Sequence, residues 1–240
     1  MKCERFISLL TCSYEGNVDH TKLMDYLPYL LKKYNLDLQP SNSTCIDIES
    51  AKSVLYPGAH IATSNPYEHY HHGIVVDMNT SDISIIHLWG PDKHSGRVQT
   101  TTLPIFIAGS IDNVGKKTRR LYLVNYDNDT FDKQQETIQV AKKMLEKADD
   151  IVYNIATLNC ESFACFCRTG KWNSEQIEKL KDLFIQNFLE IYETLKNADE
   201  KNRKQISSLL QTVPLVALNE SDKVLYDQLC QQCNNESSEQ

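Results

Sequence analysis

The sequence predicts an α+β protein in which an antiparallel sheet packs against helices. The first half of the chain consists of short β-rich segments joined by loops, the second half shows helical periodicity, and no segment is repeated. The chain has 240 residues, of which 41% are hydrophobic and 24% charged. It is therefore long enough to bury an ordinary core, and its composition excludes fibrous, disordered and small disulfide-stapled proteins.

Short β-rich segments between Gly58 and Ile111 predict the strands of the sheet. They lie at residues 60–62, 73–76, 83–89 and 101–108. Segments that follow one another so closely pair most simply as antiparallel neighbours. Residues 6–10 are a candidate for an additional edge strand.

Three helices are predicted after the strands. Apolar residues recur at helical spacing over 132–147, and a second helix begins after the capping residue Asn159 and ends at Gly170. A third begins at a cap near Asn173 or Ser174 and continues to about residue 197, with further helices after a charged link at 198–204. We therefore expect a catalytic domain at residues 1–172 and a helical extension at residues 173–240.

Net charge and apolar run lengths limit the partners and the location. The net charge of -7 opposes attraction to a phosphate backbone, so we expect no nucleic-acid partner. No apolar run is long enough for a transmembrane segment, and the first residues do not resemble a signal peptide. These features predict a cytoplasmic protein whose eight cysteines are reduced thiols.

Cys160 is the candidate nucleophile. It directly follows the helix cap Asn159, so it stands in the first helical turn, where free backbone N–H groups and the helix dipole favour a thiolate. We expect a lowered pKa and partial exposure for this thiol. The alternative is a buried structural cysteine, a description that fits Cys165 and Cys167 in the same helix better.

His71 and His87 are the candidate partners of this cysteine. Strand alternation places His71 on the face of Gly73 and Val75, opposite to His72. A hairpin turn centred on Asn79 would make His71 and His87 direct cross-strand neighbours, with Cβ atoms about 5 Å apart. One imidazole then accepts the thiol proton and the other orients its ring.

Two zinc sites are alternatives. One uses His69 and His71 with His60, His87 or Cys160, and the other joins the pair Cys165 and Cys167 to the pair Cys230 and Cys233. In the first site no acidic residue is spaced so that it could hydrogen-bond the histidine ligands. In the second site Cys165 and Cys167 are separated by one residue, which is not the usual spacing of a zinc-binding cysteine pair. We therefore expect no metal and no cofactor.

Four segments together resemble the lecithin:retinol acyltransferase domain family. They are residues 57–61 (Pro-Gly-Ala-His-Ile), 71–77 (His-His-Gly-Ile-Val-Val-Asp), 85–87 (Ile-Ile-His) and 159–164 (Asn-Cys-Glu-Ser-Phe-Ala), the last followed by Arg-Thr-Gly at 168–170. The resemblance covers about residues 55–172, and the residues of these motifs are most similar to those of plant members. It implies a permuted papain-like fold, with an antiparallel sheet packed against the cysteine helix.

The resemblance also implies roles and a chemistry. Cys160 would be the nucleophile, His71 the general base and His87 the orienting residue, in a family that transfers or hydrolyses fatty acyl groups of phospholipids through a thioester. Three features depart from the family: Ala59 replaces an acidic residue, no Gly precedes Asp77, and the C-terminal spanning helix of several animal members is absent.

Three functions follow from these observations. The leading one is a thiol-dependent acyltransferase or phospholipase A type hydrolase acting on phospholipids or other acyl esters. The alternatives are a cysteine amidase or peptidase and a non-catalytic lipid- or protein-binding domain. The basic run at residues 116–120 is a candidate for peripheral membrane contact, although such runs are more often solvated loops.

Overall fold

The computed structural model describes residues 27–28, 31–78, 82–90, 96–151 and 158–187. Residues 28–176 form one compact unit, which contains every strand described below. Leu27 and the described residues from Ile177 onward belong to a second unit.

A six-stranded antiparallel sheet forms the centre of the 28–176 unit. Its strands are β1 (Ser43–Ile46), β2 (His60–Ser64), β3 (His71–Asp77), β4 (Ser84–Trp89), β5 (Arg97–Thr102) and β6 (Arg120–Val124). They lie in the order β1-β6-β2-β3-β4-β5, and each neighbouring pair is antiparallel. The predicted α+β class with an antiparallel sheet is therefore confirmed.

The strand predicted at residues 101–108 is wrong over most of its length. The strand β5 ends at Thr102, and Leu103–Ala108 forms the helix α2. Pro104 stands in the first turn of this helix, where its missing N–H costs nothing, and Gly109 ends it in the left-handed conformation, with a φ of 82°. Pro104 at the helix start and Gly109 at the helix end therefore outweigh the β-rich composition of the segment.

Two strands were absent from the sequence prediction. β1 lies at one edge of the sheet, and β6 inserts between β1 and β2. β1 (Ser-Thr-Cys-Ile) is short and half polar, whereas β6 (Arg-Leu-Tyr-Leu-Val) carries a strand-like composition that the prediction did not use. The edge strand predicted at residues 6–10 lies outside the described residues.

Further helices are α1 (Ala51–Val54), α3 (Phe131–Glu146), α4 (Cys160–Thr169) and α5 (Glu175–Gln186), with short 3-10 turns at Ile111–Asn113 and Ala148–Asp150. α1 was not predicted, whereas α4 begins after Asn159 and ends at Gly170 as predicted. The helix predicted at 132–147 is confirmed as α3, which the Thr130 side chain caps. α5 confirms the start of the third predicted helix, while its continuation to 197 and the later helices lie outside the described residues.

Both faces of the sheet are covered, and the alternation predicted for β3 is confirmed. On one face Val75 joins a core that includes Ile61, Ile85, Leu121 and Phe106 of α2. On the other face Ile74 packs with Ile86, Leu88, Ala141 of α3, and Phe163 and Ala164 of α4. Helix α4, which carries Cys160, therefore packs on the face opposite to α2.

Polar contacts at both ends hold α4 in place. At its start Asn159 and Ser162 form a reciprocal capping box, each side chain binding the other's backbone N–H at 2.9 Å. At its end Arg168 forms a buried ion pair with Asp129 at 2.8 Å and donates to the Gly58 carbonyl at 3.1 Å. The helix is thereby tied to the loops before β2 and after β6.

Candidate active site

His71 and His87 form a hydrogen-bonded pair. Nε2 of His71 lies 2.6 Å from Nδ1 of His87, and the two rings meet edge to face. Phe106 of α2 packs against both, with ring centroids 5.0 Å from His71 and 5.7 Å from His87. The two candidate histidines are therefore brought together, and Nδ1 of His71 is not used by this bond.

The predicted pairing of these histidines as direct cross-strand neighbours is wrong by two residues. β3 and β4 pair Ile74 with Ile86 and Val75 with Ile85, a register that places His87 opposite Gly73. Closer to the turn, the pairing register of the two strands shifts between Val75 and Asp77. The centre predicted for the hairpin, Asn79, lies outside the described residues.

Gly73 allows the two rings to meet diagonally. A Cβ atom at this position would lie 2.6 Å from Cγ2 of Ile85 and 3.3 Å from Cβ of His87. Because no side chain stands there, the His71 ring reaches across the position to His87. The small residue two positions after His71 was visible in the sequence, but its role depends on the register.

Cys160 is the first residue of α4, as predicted, and it lies at the start of β3. Its Sγ is 3.8 Å from the backbone carbonyl of Tyr70, the residue directly before His71. Among the described residues the thiol makes no hydrogen bond to an imidazole. The sulfur thus approaches the backbone beside His71, at the end of the strand rather than over the face that carries the histidine pair.

The lowered pKa and partial exposure predicted for Cys160 are wrong. The residue is 8% exposed, and burial raises the pKa of its thiol to about 12. The backbone N–H groups of His72, Glu161 and Cys160 itself lower that pKa, but by less than burial raises it. Helix capping favours a thiolate as expected, and the loss of water outweighs it.

Both histidines of the pair are neutral at neutral pH. Burial lowers the pKa of His87 to about 3. Burial also holds the pKa of His71 well below its ordinary range, and the charges of His87, His72, His69 and Arg119 act in the same direction. The resting site therefore contains a neutral thiol and neutral imidazoles.

A second histidine pair lies on the α4 face of the sheet. Nε2 of His60 is 2.9 Å from Nδ1 of His72, and the other nitrogen of His60 is 2.8 Å from the Tyr126 hydroxyl. Nε2 of His72 is 3.0 Å from the side-chain nitrogen of Gln176. His72 is fully buried, so each of its ring nitrogens depends on one of these partners.

Gln176 binds both backbone polar groups of Tyr70. Its Oε1 accepts from the Tyr70 N–H at 2.7 Å, and its Nε2 donates to the Tyr70 carbonyl at 3.1 Å. Glu161 accepts from the Gln176 N–H at 3.1 Å and from the Ser174 hydroxyl. Gln176 therefore fixes the backbone that separates Cys160 from His71.

Sequence reasoning missed Gln176 because nothing local marks it. It lies 106 positions after Tyr70, in the first turn of α5, and its role exists only in the folded chain. In the folded chain the buried carboxylate of Glu161, next to Cys160, requires polar partners, and Gln176 supplies one of them.

Neither of the two alternative zinc sites is assembled in the described part of the chain. No group of three His, Cys, Asp or Glu side chains there is placed to hold a metal ion. His60 is bonded to His72 rather than grouped with His71, and His69 is exposed. Cys230 and Cys233 lie outside the described residues.

The fold is that of an α+β protein, and its antiparallel sheet carries a candidate cysteine–histidine site. Residues 53–173, just over half of the chain, match the family model described as lecithin retinol acyltransferase. The chain belongs to this family, which is generally enzymatic and of acyltransferase or hydrolase type. Comparison with curated proteins and with solved structures gives no match.

No helix among the described residues combines the length and the apolar character that crossing a membrane requires.

Proposed function

We propose that this protein is a thiol-dependent acyltransferase or lipid hydrolase that carries a fatty acyl group on Cys160. The observation that carries the proposal is the orientation of His71. Its Nε2 is bonded to His87 at 2.6 Å, so Nδ1 is the nitrogen left for the thiol. The thiol itself lies against the backbone residue that precedes His71.

In the first half-reaction, Nδ1 of His71 accepts the Cys160 proton while the sulfur attacks the carbonyl carbon of an acyl ester. The ester C–O bond breaks, and the imidazolium returns its proton to the departing alcohol, for a phospholipid a lysophospholipid. The products are an acyl thioester on Cys160 and a neutral His71. His87 accepts the His71 Nε2–H bond and stabilises the imidazolium while it exists.

In the second half-reaction, His71 removes a proton from an acceptor hydroxyl, amine or water. The acceptor attacks the thioester carbonyl, the C–S bond breaks, and the thiolate regains the proton from His71. Water yields a fatty acid, whereas an alcohol or amine yields an ester or amide.

Backbone groups at the start of α4 are suited to stabilise the oxyanion of both steps. The N–H groups of Cys160 and Glu161 act on the sulfur, because both lower its pKa. The same groups can donate to an oxygen that is bonded to the attacked carbon. The buried capping box holds them in this orientation before substrate arrives.

Because the thiol and both imidazoles are neutral before substrate binds, the thiolate forms only during the reaction. With the pKa of Cys160 raised to about 12, few thiolates are present at neutral pH. Proton transfer to His71 is therefore coupled to attack on a bound ester rather than completed beforehand. Such coupling protects a buried thiol from unrelated electrophiles.

The experiment incubates the full chain separately with phospholipid micelles and with peptide amides. We expect lysophospholipid and fatty acid, or an acylated amine when one is added, from the micelles only. Cys160→Ala should abolish this, whereas Cys165→Ala, a cysteine in the same helix, should retain it. Cleavage of peptide amides without phospholipid turnover would instead identify an amidase or peptidase.

A further inference from the structure

The segment at residues 109–120, between α2 and β6, combines exposed aliphatic side chains with basic ones. Ile111, the first residue of a short 3-10 turn, is 72% exposed, and Val114, which follows that turn, is 41% exposed. Lys116 and Lys117 follow directly and are exposed. Ile111 and Val114 are among the few large hydrophobic residues of the described chain that face water.

The charge of this segment contrasts with that of the whole chain. Residues 109–120 contain four basic residues and one acidic residue, Asp112, in a protein of net charge -7. A local cationic patch on an acidic protein is complementary to an anionic surface. Aliphatic residues beside lysines suit the boundary between lipid headgroups and acyl chains.

The segment also leads directly to the histidine pair. Phe106, three residues before Gly109, packs on both His71 and His87. The guanidinium of Arg119 lies over Gly109, within about 3 Å of the place where a Cβ atom would stand. No carboxylate in the described part of the chain pairs with Arg119. The two ends of the segment therefore meet at the end of the helix that covers the candidate site.

We propose that residues 109–120 are the surface through which the protein docks on an anionic phospholipid bilayer. Ile111 and Val114 enter the headgroup region, while Lys116 and Lys117 bind lipid phosphates. The inference rests on the proposed function for its purpose, since docking here delivers acyl esters beside His71. Its test is nevertheless separable from catalysis.

The experiment measures partition of the full chain onto vesicles of phosphatidylcholine with and without phosphatidylserine. Each cation near an anionic surface contributes about fivefold to the partition coefficient, so Lys116→Glu/Lys117→Glu should reduce it by at least about 25-fold. Lys142→Glu/Lys143→Glu is the matched control, because these adjacent lysines are also exposed, on α3. Ile111→Ser/Val114→Ser should weaken binding to both kinds of vesicle.

Two results would overturn the docking surface. One is the absence of binding to phosphatidylserine vesicles by the unaltered chain. The other is an equal loss of binding in the 116/117 and 142/143 variants, which would show a nonspecific effect of charge.

Turnover of a short-chain phospholipid below its micelle concentration separates this proposal from the enzymatic one. Turnover retained in the 116/117 variant, with vesicle binding lost, supports both proposals. Vesicle binding that depends on Lys116 and Lys117, with no turnover by the unaltered chain, would support docking and contradict the enzyme. Turnover by an unaltered chain that does not bind vesicles would contradict docking alone.

Discussion

Nε2 of His71 lies 2.6 Å from Nδ1 of His87, although the two residues are not directly opposite in the sheet. The choice of nitrogens in this bond distinguishes two side chains that the sequence pattern treats as equals. The bond leaves Nδ1 of His71 unused, and in the proposed mechanism this nitrogen serves the thiol while His87 acts only through the His71 ring. The two histidines should therefore contribute unequally to the reaction.

Replacing each histidine with glutamine tests this inequality. A glutamine cannot carry a proton at neutral pH, so His71→Gln should lower the acylation rate by about 10²–10⁴-fold. His87→Gln should cost visibly less, because a glutamine carbonyl can still accept the His71 bond. Single-turnover acylation rates measure both; equal losses, or a larger loss at His87, would mean that the two roles are reversed.

The thiol of Cys160 should react slowly in the free protein. It is 8% exposed with a pKa raised to about 12, whereas Cys45 is exposed. Iodoacetamide at neutral pH should therefore label Cys45 well before Cys160, as read from peptide masses. In denaturant the two should label at similar rates. Faster labelling of Cys160 in the native protein would show that its thiolate is already present.

Gln176→Ala should impair both stability and turnover. The change leaves the buried N–H of Tyr70 without the Gln176 acceptor and its carbonyl with only the thiol of Cys160, which should cost about 1–3 kcal/mol of unfolding free energy. Because Gln176 fixes the backbone between Cys160 and His71, kcat should fall with KM little changed. Gln139→Ala, on the exposed face of α3, is the control. An unchanged kcat in folded Gln176→Ala would contradict the proposal that Gln176 positions Cys160 and His71.

Stability should decrease as the pH falls below neutrality. Burial lowers the pKa of His60, His71, His72 and His87, so the folded chain resists protons that the unfolded chain binds near the ordinary value of 6.5. This contribution is complete above that value and is lost progressively as the pH falls from there toward the folded-state pKa, about 3 for His87. Each histidine contributes a slope approaching about 1.4 kcal/mol per pH unit.

Denaturant titrations at neutral and mildly acidic pH measure this slope. His87→Gln should make it shallower, because one of the four buried imidazoles is removed. His69→Gln, at an exposed position, is the matched control. A stability that rises on acidification would contradict the neutral, buried state of these histidines.

Local signals predicted the elements that carry the site. The helix α4 was predictable because Asn159 and Gly170 mark its two ends, and these residues act through neighbouring backbone. The face of His71 was predictable because side chains alternate along any strand.

Features that depend on tertiary structure could not be predicted in this way. The register of β3 and β4 depends on an irregularity after Val75 and on the turn that follows. The pKa of Cys160 depends on the water removed by packing, which the sequence of α4 does not contain. Gln176 comes from a distant helix, so only the folded chain shows that it binds Tyr70.

The acyl thioester on Cys160 is the central claim, and the mass of the peptide that contains this residue tests it most directly. After brief exposure to phospholipid micelles and an acid quench, the peptide should gain the mass of a fatty acyl group, which hydroxylamine removes. Cys165→Ala should retain the adduct and Cys160→Ala should lack it. Phospholipid turnover with Cys160 unmodified in every quench, or with the adduct on Cys165, would contradict the account.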